Sequence, residues 1–198
     1  MKSLTHQILE YASQQAEGIP LTSKALLHLG SRAAVDQALS RLAASNRLLR
    51  VGRGLYVKPE KTRFGSRPPS TENVMRGIEE RQGETVVPHG AAEANSLGLT
   101  TQVPVREIFL TSGRTRSLSL GGREVELRHA PAWQLIMAHR VAGAAVRALS
   151  WAGPERAREI VTTLKARLSP ADVRELLAAR SRLPTWMARE VSALALHA

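Results

Sequence analysis

The sequence predicts an α+β, helix-rich fold: an N-terminal winged helix-turn-helix, then a small antiparallel sheet with a C-terminal helical bundle. Three observations predict it. Apolar residues recur at helical spacing in three segments before Asn46 and then give way to short apolar runs around Gly52-Arg53-Gly54. Three candidate strands between Val105 and Arg128 are separated by glycine-containing turns. From Pro131 onward the spacing is helical, and Pro131, Pro154, Pro170 and Pro184 each stand where a helix starts, a position at which a missing amide costs nothing.

In order along the chain, Ser3 caps a first helix carrying Leu4, Ile8, Tyr11 and Ala12, which Gly18 and Pro20 end. Thr22 or Ser23 caps a second, of barely two turns, ending at Gly30. Ser31 caps a third, with Val35, Ala38, Leu39 and Leu42 on one stripe. Two helices separated by one Gly-Ser step read as helix-turn-helix. The runs Leu48 to Val51 and Leu55 to Val57 then form a hairpin, the wing, because glycines flanking Arg53 tolerate the positive φ of a tight turn. Lys61 to Pro69, rich in glycine, serine and proline, reads as an exposed linker. The boundary therefore falls between residues 1–64 and a partner-binding domain of residues 65–198.

In that second domain, Thr71 caps a helix to about Arg81, a strand covers Thr85 to Val87, and a helix runs from Gly90 to Leu97. Strands follow at Val105–Thr111, Ser117–Leu120 and Glu124–Arg128, the last two joined through Gly121-Gly122. Four helices are expected last: Trp133–Trp151, Glu155–Arg167, Pro170–Arg180 after a Ser169 cap, and Pro184 onward.

Charge points to a partner class. The 28 Lys and Arg against 17 Asp and Glu leave a formal net charge of +11, the footprint of a protein that meets phosphates. Residues 1–64 hold ten of the basic side chains and only four of the acidic ones, so the first third is the most charge-dense. The absence of cysteine removes disulfides, thiolate metal sites and cysteine nucleophiles. No apolar stretch approaches the roughly 18 residues of a membrane span, and the expectation is a soluble, cytoplasmic protein with no membrane partner.

The candidate chemistry lies on the third helix and the wing. At 100° per residue, the face opposite Val35 presents Ala33, Gln37, Ser40, Arg41 and Ala44. Alanines allow close approach to a groove and to thymine methyls, and a glutamine can pair with adenine. Arg32 lies in the first turn, where the free amides after Ser31 can hold a phosphate oxygen. Asp36 either accepts from a cytosine amine or orients Arg32 or Arg41. The wing adds Arg50, Arg53 and Lys58, with Lys61 and Arg63 just beyond, and its Gly-Arg-Gly tip can enter a minor groove or rest on the backbone. Tyr56 either faces out toward phosphate or packs inward. The implied partner is double-stranded operator DNA.

Signals for catalysis are sparse. His6, His28, His89, His129, His139 and His197 show no metal spacing, and structural roles are expected for each. Glu124 and Glu126 share a strand face in the manner of a nuclease metal site, but Arg128 stands where a lysine is wanted. Thr111 to Arg116 lacks the GxxxxGK[ST] pattern and reads as a basic turn between strands. The expectation is a protein with no cofactor, no bound metal and no enzymatic activity.

Three blocks carry a resemblance: GSRAAVDQALSRLAASNRLLRVGRGLYVKP from Gly30 to Pro59, HGAAEANSLGLTTQVP from His89 to Pro104, and LPTWM from Leu183 to Met187. They resemble antitoxins of the AbiE type and related AbiEi-like regulators. That resemblance implies a bacterial type IV toxin-antitoxin or phage-defence operon, whose antitoxin represses its own promoter through the N-terminal domain and counteracts a nucleotidyltransferase toxin through the second. By the same match Ser31, Arg32, Gln37, Arg41 and Arg53 correspond to the family's DNA-reading helix and wing, and no residue corresponds to a catalytic one. Asn46 stands in place of the glycine often found after the third helix, which its tolerance of the left-handed region allows. Two other readings stay open: a stand-alone winged-helix transcriptional regulator whose second domain senses a ligand or dimerises, and a metal-dependent nucleic-acid enzyme using the later sheet.

Overall fold

Four serines start four helices, each at an extended residue whose hydroxyl accepts the backbone N–H three positions on: Ser3 from His6, Ser31 from Ala34, Ser70 from Asn73 and Ser169 from Asp172. The computed structural model describes residues 2–195 and is α+β, with about half the chain helical and only small sheets. In chain order its elements begin with α1 (Leu4–Ser13), a 3-10 turn (Lys24–Leu26), α2 (Arg32–Ala44), β1 (Leu49–Gly52), β2 (Leu55–Val57), β3 (Glu60–Thr62), β4 (Gly65–Arg67) and α3 (Thr71–Gln82). They continue with β5 (Val86–Pro88), α4 (Gly90–Ser96), β6 (Glu107–Thr111), β7 (Arg116–Leu120) and β8 (Arg123–His129). The chain ends with α5 (Ala132–Leu135), α6 (Val141–Lys165), α7 (Pro170–Ala178), a 3-10 turn (Arg180–Arg182) and α8 (Thr185–Ser192).

Two compact units divide these elements. One reaches Glu84 and includes Arg116–Glu126; the other comprises Thr85–Thr115 and the chain from Leu127. The first unit therefore extends well past residue 64, because α3 belongs to it. Gly77 on α3 lies so close to the loop after α1 that an added Cβ would stand 2.7 Å from both the Gly18 carbonyl oxygen and Pro20 Cδ. Only glycine permits that approach.

The core of the first unit gathers Ile8 and Ala12 of α1, Leu26 of the 3-10 turn, Val35, Ala38, Leu39 and Leu42 of α2, and Leu21, Leu48 and Tyr56. Leu21 and Tyr56 exchange backbone hydrogen bonds of 2.7 and 3.0 Å, which tie the segment between α1 and α2 to β2. Tyr56 is only 7% exposed, so its ring packs inward and takes no part in an outer face. β1 and β2 pair antiparallel with a register shift between Arg50 and Gly52. The expected second helix is a single 3-10 turn: Thr22 Oγ1 accepts from Ala25 N–H at 3.3 Å, and Ser23 donates its hydroxyl to Asp36 of α2. The expected linker is also different. Residues 60–67 form a second antiparallel hairpin, β3–β4, with Thr62 opposite Gly65 and Arg63-Phe64 at the tip. β7 and the first part of β8 complete the unit as a hairpin turning on Gly121 and Gly122, both at positive φ.

In the second unit β5 pairs antiparallel with β6, and β6 is followed in the sheet by the end of β8. The main core lies among the helices, where Ala142, Ala145, Val146 and Leu149 of α6 meet Leu176, Met187 and Val191. Gly90 on α4 would place a Cβ 2.2 Å from the Arg147 carbonyl oxygen, so α4 presses directly on the α6 backbone. The helix expected over Trp133–Trp151 is interrupted: Ile136 is extended and Met137 has φ +50° before α6 begins. Gly143 accepts that return of the chain, since a Cβ there would lie 2.1 Å from the Met137 carbonyl oxygen. The expected break at Pro154 is a kink inside α6, at Gly153 with φ +77°.

Candidate nucleic-acid interface

α2 buries Val35, Ala38, Leu39 and Leu42 and leaves Ser31, Arg32, Ala33, Gln37, Ser40, Arg41 and Ala44 exposed. The stripe and the outer face are those that 3.6-residue periodicity requires. Ser31 is committed to its cap, accepting from Ala34 N–H at 3.4 Å. Asp36 is the one acidic residue of the helix, and its charge is answered locally: Arg32 Nε lies 3.0 Å from Oδ2, and the Ser23 hydroxyl donates to Oδ1. The Ser23 hydrogen bond first, and the Arg32 guanidinium second, hold the Asp36 carboxyl below its ordinary range. Of the arginines that Asp36 was expected to orient, it pairs with Arg32.

At the β1–β2 turn Gly54 has φ +67° with open space around it, and Arg53 beside it is exposed. Arg41, Arg50 and Arg53 form no ion pair among the described residues. Arg50 borders an open cleft of about 510 Å³ with Ser117, Leu118 and Arg123. Lys58 is half-buried, its Nζ 3.8 Å from Glu60 Oε1, and is the least available of the predicted cations. Lys61 is exposed opposite Ser66 on the second hairpin, and the Arg63 guanidinium lies 4.7 Å from the centroid of the Phe64 ring. The candidate DNA-contacting residues of α2 and the two hairpins all fall in the first unit, and all but the half-buried Lys58 and the buried Tyr56 are exposed.

Sequence patterning missed Phe64, which is 86% exposed, together with the exposed cations Lys24 and Arg47. A signal for the hairpin was present: a threonine and a glycine enclose two residues, the spacing of a tight turn, but the prolines that follow suggested a linker.

Elsewhere the histidines do structural work or sit on the surface. His89 Nδ1 accepts from Ala91 N–H at 3.2 Å as the cap of α4, His129 Nδ1 meets the Gly113 carbonyl oxygen at 2.8 Å, and the His28 and Tyr11 rings are 5.5 Å apart. His6 is exposed, as is His139, and His197 lies outside the described residues. Among the described residues no group of three or more His, Asp or Glu is arranged to hold a metal. Glu124 is exposed and Glu126 half-buried on β8. Thr111 Oγ1 accepts from Gly113 N–H at 3.0 Å, so the segment after β6 is closed on itself as a turn. No described helix is long and apolar enough to cross a membrane.

No curated protein matches the chain. Among solved structures, the crystal structure of the RV2827C protein from Mycobacterium tuberculosis is similar in fold, with a TM-score of 0.52 and 15% sequence identity over 98% of this chain and 76% of that one. Residues 7–170 match a family described as one of unknown function, DUF6088, and the chain belongs to that family.

Proposed function

We propose that the chain is a duplex-DNA-binding regulator whose first unit works as a winged helix-turn-helix, with α2 as the reading helix and the β1–β2 turn as the wing. The observation that carries this reading is the exposed face of α2: Ala33, Gln37, Ser40, Arg41 and Ala44, free of any acid except Asp36, which is paired with Arg32 and hydrogen-bonded by Ser23. An ordinary solvated face carries several carboxylates, which phosphates repel. Small side chains permit entry into a major groove, Gln37 can make a bidentate contact to adenine, and Arg41 and Arg53 are uncommitted cations. The order α1, 3-10 turn, α2, β1, β2, with Leu21 bridging to Tyr56, supports the module. The resemblance to AbiE-type antitoxins extends the proposal: the protein represses its own promoter, and its second unit counteracts a nucleotidyltransferase toxin.

The test is titration of the full chain with the duplex upstream of its own gene at several salt concentrations. Affinity is expected to fall with a log-log slope of roughly −0.9 for each phosphate neutralised, and to exceed that for random duplex. A flat salt response would end the DNA reading. The antitoxin role is tested separately by co-expressing the chain with a neighbouring nucleotidyltransferase gene: rescue of growth supports it, and no rescue removes it.

A further inference from the structure

The β3–β4 hairpin carries Lys61 and Arg63 of the predicted cations, but its tip residue Phe64 has no part in the reading above. Residues 58–67 carry Lys58, Lys61, Arg63 and Arg67 against Glu60 alone. At its base Arg67 Nη2 lies 3.5 Å from Glu17 Oε1. Its tip is pre-formed, because Thr62 Oγ1 accepts from Phe64 N–H at 3.2 Å and donates to the Gly65 carbonyl oxygen at 2.9 Å. At that tip Phe64 is 86% exposed, and the Arg63 guanidinium lies 4.7 Å from the centroid of its ring. A phenylalanine held out to water forgoes the gain of burial, and a partner that covers it recovers that gain.

We infer that this hairpin is a second DNA-contacting element, in which Phe64 enters a minor groove and wedges against a base step while Lys61 and Arg63 hold the flanking phosphates. The inference rests on the duplex-DNA reading proposed above. Charge complementarity selects the occupant: an anionic polymer satisfies Lys61 and Arg63 on the same hairpin, whereas an apolar protein surface would leave them desolvated. The groove suits the geometry. Only the Phe64 side chain has to enter the channel, which is about 6 Å wide, and apolar wedges there unstack and kink flexible pyrimidine–purine steps.

The experiment uses the full chain and short duplexes from upstream of its own gene, with 2-aminopurine beside a TA step and a donor–acceptor dye pair at the ends. Binding should raise the 2-aminopurine emission and shorten the end-to-end distance. F64A should lose both signals and about fivefold or more in affinity, whereas F64L, which keeps an apolar wedge, should retain most of the bend. A parent chain that binds duplex but neither unstacks nor bends it overturns the wedge and leaves the α2 reading standing. So does an F64A variant that behaves as the parent on DNA, or one that alters only sedimentation, which would assign Phe64 to a contact between protein copies. Failure of the parent to bind any duplex overturns both readings together.

Discussion

Arg32 and Asp36 face each other across one turn of α2, Nε to Oδ2 at 3.0 Å, and the same carboxylate receives the Ser23 hydroxyl from the preceding 3-10 turn. One acid thus joins the turn to α2 and fixes the direction of an exposed arginine. Asp36→Ala is expected to free Arg32 and remove a repulsive charge, so that binding to random duplex strengthens while the margin for the cognate site narrows. Anisotropy titrations of both duplexes at two salt concentrations check this, and a cognate site that gains as much as random DNA would show that Arg32 needs no orientation.

Gln37 sits in the middle of the acid-poor face and is exposed. Gln37→Ala should cost roughly 1 to 3 kcal/mol of preference for the cognate site if its contact is bidentate to a base. Equal losses on cognate and random duplexes would reassign it to the phosphate backbone.

Arg53 borders Gly54 at a turn with open space around it, so its removal should leave thermal stability unchanged. Arg53→Ala is expected to reduce the salt slope by about one unit on every duplex if the side chain rests on a phosphate. If it enters a minor groove, the loss should be greatest on sites with AT-rich flanks, where the narrow groove concentrates negative potential. Comparing AT-rich and GC-rich flanks separates the two, and unchanged affinity on both removes the wing from the interface.

In the second unit Arg147 and Glu93 form an ion pair whose side chains are 1% and 10% exposed, with Nε and Nη2 at 2.9 and 2.8 Å from the same carboxylate oxygen. Arg147 Nη2 also donates to the Ala138 carbonyl oxygen at 2.8 Å. Removing one partner strands the other charge, so Glu93→Ala should cost about 3 to 5 kcal/mol. Glu93→Leu with Arg147→Met should recover much of that, and denaturant unfolding of the three proteins measures it.

Glu17 links the loop after α1 to the start of α3. Its carboxylate accepts Ser70 N–H at 3.0 Å, and that hydrogen bond above all, with Asn73 and Arg67 adding to it, holds its pKa below the usual range. A depressed folded-state pKa contributes stability that is present above the ordinary carboxylate value and is lost as pH falls through the lowered one. Thermal midpoints of the parent should therefore decline on the acid side, and those of Glu17→Gln should start lower and decline less. Parallel acid limbs would show that this contact is thermodynamically silent.

What the sequence by itself determined is local. A serine ahead of an apolar stripe reports its own helix start because hydroxyl and amide are three residues apart, as Ser3, Ser31 and Ser169 show; at α3 the cap is Ser70, one residue before the expected Thr71. The exposed face of α2 was equally legible, since 3.6-residue periodicity needs only the helix itself. Tertiary structure decided the rest through contacts between residues distant along the chain. Of the two expected caps, Thr22 receives Ala25 N–H while Ser23 is bonded to Asp36, Tyr56 was turned inward by its bridge to Leu21, and Met137 was driven to positive φ where the chain returns over Gly143. The first unit likewise reached past the expected boundary because Gly77 lets α3 lie against Gly18 and Pro20. No local pattern encodes such a contact: its strength comes from packing surfaces that meet only once the chain has folded.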